Sequence, residues 1–208
     1  MNRTRIKFCG LTRGEDVQCA IDLGVDAIGL VLTRKSRRFI EPAAARALHD
    51  LLPPFVTAVA LLMDDEPDWV EHVIEVLRPD LLQFHGSEDA VFAEQFDRPY
   101  LKAVPMASVS DVAAFARTHP RARGFLLDSH ACGGVGGTGS SFDWTRVPRD
   151  LGRPLVLAGG LDAGNVAAAI TQVRPHAVDV SSGIESAPGA KDPRRMRDFV
   201  AAVREAGH

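Results

Sequence analysis

RIKFCGLTRGED (residues 5–16) poses a choice between two folds. Its first six residues read as a strand. Successive side chains of a strand point to opposite faces, so Ile6 and Phe8 share an apolar face while Lys7 and Cys9 share the other. In a one-sided sheet the lysine face would simply be solvent. The turn that follows, CGLTRGED, lacks the G-x-G-x-x-G pattern expected after the first strand of an open, doubly wound nucleotide-binding sheet.

The same rhythm recurs along the chain. Strands are expected at 5–10, 27–32, 56–62, 81–86, 100–104, 124–128, 154–158 and 177–182. Helical patterns lie between them at 14–23, 42–52, 67–77, 88–96, 109–118, 164–173 and 193–205, with a short one near 142–147. Glu41-Pro42 and Asp192-Pro193 open two helices, and Ser110-Asp111 falls in the first turn of another. Arg78-Pro79, His119-Pro120 and Arg174-Pro175 close three more. Eight strands alternating with helices imply parallel strands joined by crossovers. The count of eight and the missing glycine turn favour an α/β fold of the closed (β/α)8 TIM-barrel type, with residues 1–208 as one catalytic domain near the lower size limit of that architecture. The two ends read as a first strand and a last helix.

Composition narrows the function. The hydrophobic and charged fractions, 46% and 25%, are those of a soluble globular chain. A net charge of −3 gives no basic excess for nucleic acid. No apolar run is long enough to span a membrane, and the basic N-terminus has no apolar segment of a secretion signal. A cytoplasmic protein is expected. Cys9, Cys19 and Cys132 are an odd number at unrelated spacings, which matches neither a disulfide framework nor a zinc site. Cys19 reads as helix core.

In a barrel, one face of each strand packs on helices and the other meets at the axis. Ile6/Phe8, Leu82/Phe84 and Val178/Val180 are the helix-facing sets. Lys7/Cys9, Gln83/His85 and Asp179/Ser181 point inward, and Leu126 shares a face with Asp128. Polar inward groups thus gather at the C-terminal strand ends, where barrel active sites form. LAGGLDAGN (157–165) and VSSGIES (180–186) put glycines at the ends of strands seven and eight, ahead of helices. Backbone N–H groups there can approach an anion, which makes Gly159, Gly160, Ser181, Ser182 and Gly183 a candidate phosphate cradle; tight turns alone would use the same glycines. Asp128 ends the apolar strand GFLLD, and an inward carboxylate is costly unless paired or functional. Cys9 shares its face with Lys7, whose charge would favour a thiolate. Thiolate and carboxylic acid across a barrel mouth make a base–acid pair. Arg38 could grip a carboxylate bidentately, with Arg34 and Arg37 as solvated neighbours. Gln83 and His85 either contact ligand or satisfy buried hydrogen bonds. No zinc-helix, Walker or serine-elbow pattern occurs, so no metal or cofactor is expected.

These residues resemble the phosphoribosylanthranilate isomerase family. KFCGLT (7–12), KSRRFI (35–40), LLQFHG (81–86), FLLDS (125–129), GGTGSSFDW (136–144), LAGGLDAGNV (157–166), VDVSSGIES (178–186) and PGAKD (188–192) follow the family's order over nearly the whole chain. The resemblance implies a cofactor-free Amadori rearrangement of N-(5-phosphoribosyl)anthranilate in tryptophan biosynthesis. It implies Asp128 as general acid, Cys9 as general base, Arg38 on the anthranilate carboxylate, and the loops at 159–160 and 181–183 as the phosphate cradle. Lys7, Gln83, His85 and Asp179 complete the expected substrate-binding set, and the partner is a small phosphorylated sugar. Two departures stand out: Arg37 occupies a position where proline is commoner, and HACGGV lengthens the loop after Asp128. An indole-glycerol-phosphate synthase would be expected to work through lysine and glutamate, and a dual-substrate sugar isomerase through two aspartates. Cys9 disfavours both. A non-catalytic phosphosugar-binding barrel is the reading from another class, and retention of Cys9 and Asp128 speaks against it.

Overall fold

The computed structural model describes residues 3–130 and 141–206. Eight strands are laid down in chain order: β1 (Arg5–Cys9), β2 (Ala27–Val31), β3 (Thr57–Leu62), β4 (Leu81–Phe84), β5 (Tyr100–Pro105), β6 (Gly124–Asp128), β7 (Leu155–Leu157) and β8 (Ala177–Val180). Each is parallel to its neighbours, and β8 pairs back onto β1 to close the barrel. The helices are α1 (Gly14–Asp22), α2 (Pro42–His49), α3 (Pro67–Leu77), α4 (Ala90–Glu94), α5 (Val112–Arg117), α6 (Val166–Val173) and α7 (Pro193–Ala206). The expected (β/α)8 barrel is therefore the observed one.

Local chemistry explains most boundaries. Pro42 and Pro67 sit in the first turns of α2 and α3, where a missing N–H costs no helical bond. Arg78 and Arg174 close α3 and α6 in the left-handed conformation, at φ 54° and 51°, and a proline follows each. Asp89 and Asp111 cap α4 and α5 by accepting from the N–H groups of Phe92 and Ala114. That role moves Asp111 one position outside the helix in which the sequence pattern put it. α4 is much shorter than the 88–96 pattern, since Asp89 delays its start and Asp97, at φ 47°, precedes Pro99. The short pattern near 142–147 forms a 3₁₀ turn, Trp144–Arg146.

One element was not expected. After β8 comes a 3₁₀ turn, Ser182–Ile184, then a hairpin of β9 (Glu185–Ala187) and β10 (Ala190–Lys191). VSSGIES therefore leads to a single 3₁₀ turn, and the full helix begins only at Pro193.

Period two holds around the barrel. Ile6, Phe8, Leu82, Phe84, Val178 and Val180 all pack between strands and helices, and Phe8 meets Phe199 of α7 edge-on at 6.2 Å. Burying side chains of this size contributes roughly 1.5–3 kcal/mol each. A smaller cluster of Leu101, Ala103, Leu126, Val156, Ala158 and Ala177 fills the barrel interior. It plugs the axis, so polar inward residues collect at the C-terminal mouth. Cys19 lies partly buried against the outer layer. Cys132 and most of the GGTGSS stretch lie outside the described residues. No helix among the described residues is long and apolar enough to cross a membrane.

Candidate active site

Closure of the barrel assembles the site. Lys7 and Asp179 lie 172 residues apart, yet they are direct cross-strand partners on β1 and β8, and Lys7 Nζ donates to Asp179 Oδ1 at 2.8 Å. Both are buried. Although burial works against its charge, the Asp179 carboxylate holds Lys7 above the ordinary lysine range. Lys7 faces Cys9 as the alternation requires, but the outcome for the thiol differs from the simple expectation. Burial pushes the Cys9 thiol up, and the pull of Lys7 and Lys191 does not fully offset it. Burial is the leading cause, while Lys7, itself paired with Asp179, still pulls the thiol toward its ionised form.

Cys9, Arg38, Gln83, His85, Asp128, Asp179 and Ser181 line one cavity at the mouth, alongside Val31, Leu61 and Met63. Asp128 is buried at the end of β6. His85 Nε2 stands 3.3 Å from its Oδ2, and His130 Nδ1 stands 3.7 Å from the same oxygen. Burial alone would raise this carboxyl, but His130 and His85 overcome it and hold Asp128 well below the usual carboxylate range. Gln83 Nε2 lies 3.1 Å from His85 Nδ1. Gln83 therefore bonds to His85, and His85 faces Asp128, with both buried in the cavity wall.

Three candidate metal-ligand atoms of His85, Asp128 and His130 lie within 4.8 Å of one another. The two imidazoles, however, are stacked, with centroids 4.3 Å apart and planes at 24°.

Arg38 is partly spoken for. Its Nε and Nη2 donate to Glu185 Oε1 and Oε2 at 2.8 and 2.7 Å, in the bidentate geometry expected of it. Glu185 also accepts from Lys191 Nζ at 2.8 Å, across the β9–β10 hairpin. Burial opposes its charge, but these two cations hold the Glu185 carboxyl below its ordinary range. Arg34 lies over Trp69, 4.5 Å from the ring centroid, so it is not merely solvated.

The two glycine loops meet backbone to backbone. A Cβ on Gly183 would fall 2.0 Å from the carbonyl oxygen of Leu161, and Gly159 takes φ 82° beside Ser129. Gly159, Gly160, Ser181, Ser182 and Gly183 thus share one rim of the mouth, with the 3₁₀ turn Ser182–Ile184 starting there.

Three participants escaped the sequence reading: His130, Glu185 and Lys191. His130 was legible in principle, since 126, 128 and 130 share a face under period two. Glu185 and Lys191 stood in quoted motifs, but nothing local shows that they join Arg38.

A closed parallel barrel with a buried thiol, a buried carboxyl and a glycine-rich rim at its C-terminal mouth defines a (β/α)8-barrel enzyme of acid–base type. Comparison with known proteins names the family. The profile of N-(5'phosphoribosyl)anthranilate (PRA) isomerase matches residues 6–202. The N-(5'-phosphoribosyl)anthranilate isomerase of Xanthomonas oryzae pv. oryzae strain PXO99A is 51% identical, over 98% of this chain and 95% of that protein. The phosphoribosyl anthranilate isomerase crystal structure from Thermus thermophilus superposes with a TM-score of 0.87 at 34% identity, over 97% of this chain and 99% of that one. A structure of the enzyme in complex with reduced 1-(o-carboxyphenylamino)-1-deoxyribulose 5-phosphate gives a TM-score of 0.82 at 33% identity, with the same coverages. The chain belongs to the phosphoribosylanthranilate isomerase family, isomerases of tryptophan biosynthesis.

Proposed function

We propose that the chain converts N-(5'-phosphoribosyl)anthranilate to 1-(o-carboxyphenylamino)-1-deoxyribulose 5-phosphate, with Asp128 as general acid and Cys9 as general base. The carrying observation is that Cys9 on β1 and Asp128 on β6 line one cavity, between the glycine rim and Arg38. The phosphate rests on the loops bearing Gly159, Gly160, Ser181, Ser182 and Gly183. The aromatic ring lies against Val31, Leu61 and Met63, its carboxylate meeting Arg38 through Nη1 because Glu185 holds Nε and Nη2. Lys7 with Asp179, and Gln83 with His85, bracket the ribose.

The chemistry then moves protons within one molecule. Asp128 protonates the ribose ring oxygen, the C1–O bond breaks, and the anthranilate nitrogen lone pair forms the Schiff base. Cys9, as thiolate, removes the C2 proton to give an enolamine. Loss of the enol proton and protonation of C1 yield the ketone. No electron leaves the substrate, so the proposal calls on no cofactor. Residues 1–208 act as a single catalytic domain, working in the cytoplasm.

Turnover of freshly made substrate, followed by loss of anthranilate fluorescence without added metal, tests this. The parent should be fast, and Cys9→Ala and Asp128→Asn should each fall by about 10²–10⁴-fold. A folded parent no faster than buffer would leave a phosphosugar-binding barrel instead.

A further inference from the structure

Arg38 is fixed at three points. Its stem lies in a slot left by a missing side chain: a Cβ on Gly10, which takes φ 75°, would fall 2.5 Å from Arg38 Cδ. Its backbone N–H donates to Ser36 Oγ at 3.1 Å. Its guanidinium is gripped from behind, Nε and Nη2 donating to the two carboxylate oxygens of Glu185 at 2.8 and 2.7 Å. A guanidinium carries five N–H donors in one plane. The grip of Glu185 takes the side edge, so Nη1 and the second proton of Nη2 form the remaining edge. That edge has the shape that takes a carboxylate bidentately. Arg38 lines the cavity at the mouth, and Glu185 and Lys191 stand behind it.

Glu185 is fixed in its turn. Its Oε1 also accepts from Lys191 Nζ at 2.8 Å and from the Gly189 N–H at 3.2 Å. Lys191 Nζ reaches the Ser181 carbonyl at 3.1 Å, so the hairpin that holds the guanidinium also touches the rim assigned to phosphate. The hairpin is anchored to the segment after β1. Thr12 Oγ1 donates to the Gly189 carbonyl at 2.6 Å, and Arg13 Nη2 to the Lys191 carbonyl at 3.0 Å. The side chains of Arg38, Glu185 and Lys191 are 12%, 5% and 0% exposed. Two cations thus share one carboxylate in a place that water hardly reaches. An excess buried charge is costly until a further anion meets it. Of the three, Arg38 is the one that faces the cavity, so that anion arrives at its free edge.

We propose that Glu185 is a positioning residue that makes the site select a carboxylate-bearing arylamine adduct, and that Lys191 ties this selection to the phosphate rim. The inference rests on the isomerase reading and deepens it. Without Glu185 the guanidinium keeps its charge but loses the fixed direction of its free edge, because an unheld arginine samples many rotamers. Asp128 and Cys9 remain acid and base. Glu185 makes and breaks no bond; it decides which adduct is held in front of them. A glutamate that only braced the fold would affect every adduct alike.

The test compares N-(5'-phosphoribosyl)anthranilate with N-(5'-phosphoribosyl)aniline, the same adduct without its carboxylate, in the full-length parent, Glu185→Gln and Lys191→Met. Turnover is measured where circular dichroism shows each protein folded. The parent should favour the carboxylate adduct by about 10²-fold or more in kcat/KM. In Glu185→Gln the amide sets its N–H groups against those of Arg38 or Lys191. That variant should lose about 10–100-fold on the anthranilate adduct, mostly through KM, and less than about 3-fold on the aniline adduct. Lys191→Met should show the same pattern at smaller size, and it decides the matter if Glu185→Gln does not fold. Equal losses on both adducts, or no loss on either, overturn the inference and leave the hairpin as a brace. Calorimetric binding of the two reduced, unreactive adducts gives a readout independent of turnover, and the same discrimination should collapse there. A parent that turns over neither adduct overturns the isomerase reading, while the binding pair still decides whether Glu185 sets selection for the carboxylate.

Discussion

A methyl group on Gly29 would lie 2.8 Å from Cys9 Sγ and 3.1 Å from Lys7 Nζ. Gly29 is the cross-strand neighbour of Cys9 on β2, so the base owes its position to a side chain that is missing. Gly29→Ala should leave the barrel folded, because overpacking of this kind costs about 1–3 kcal/mol. It should nevertheless displace the thiol and lower kcat by roughly 10–100-fold. Turnover beside circular dichroism checks this; unchanged kcat in a folded variant would remove Gly29 from the site. The same reasoning marks Gly183, whose Cβ would collide with the Leu161 carbonyl.

Loops after the strands are tied together by buried ion pairs. Lys102 on β5 points outward into the helix layer, where its Nζ donates to Glu88 Oε2 at 2.8 Å and to the Gly86 carbonyl at 2.6 Å. Glu88 Oε1 in turn accepts from the Asp64 N–H at 2.7 Å, so one carboxylate joins the loops after β3 and β4. Both side chains are nearly inaccessible, at 1% and 2% exposed. Removing one partner strands the other, so Lys102→Met should cost about 3–5 kcal/mol in urea denaturation. The pair Lys102→Met with Glu88→Gln keeps the acceptor for Asp64 and should recover most of that loss. If the single variant is as stable as the parent, the network contributes nothing. The β9–β10 hairpin makes a comparable tie, since Glu185 and Lys191 face each other across it and Arg38 reaches in from the loop after β2.

For the whole barrel these carboxylates set an acid limit. Asp128 and Glu185 are both held below their ordinary values of 3.8 and 4.5. A depressed carboxylate contributes stability that is complete above its unfolded pKa and is lost as pH falls through the folded one. The melting temperature should therefore be flat above about pH 5 and decline steadily below about pH 4. Glu185→Gln should lower the plateau and flatten the acid slope. A parent whose melting temperature holds down to about pH 2 would contradict this account.

The strand and helix periods, the proline and aspartate punctuation and the eightfold count were written in the sequence by itself. These are local properties, set by backbone geometry and by which face each side chain takes. The inward placement of Lys7, Cys9, Gln83, His85, Asp128 and Asp179 followed from the same alternation, and family-like motifs supplied their expected roles. Tertiary structure alone decided which of those groups touch. Closure of β8 onto β1 made Lys7 and Asp179 a pair beside Cys9, whose thiol burial pushes up. A hairpin too short to announce itself by period brought Glu185 to Arg38, across 147 residues. Convergence of β4 and β6 at the barrel mouth stacked His130 on His85 above Asp128. Such contacts depend on strand order and register, which join residues remote in the chain, and no local pattern records them.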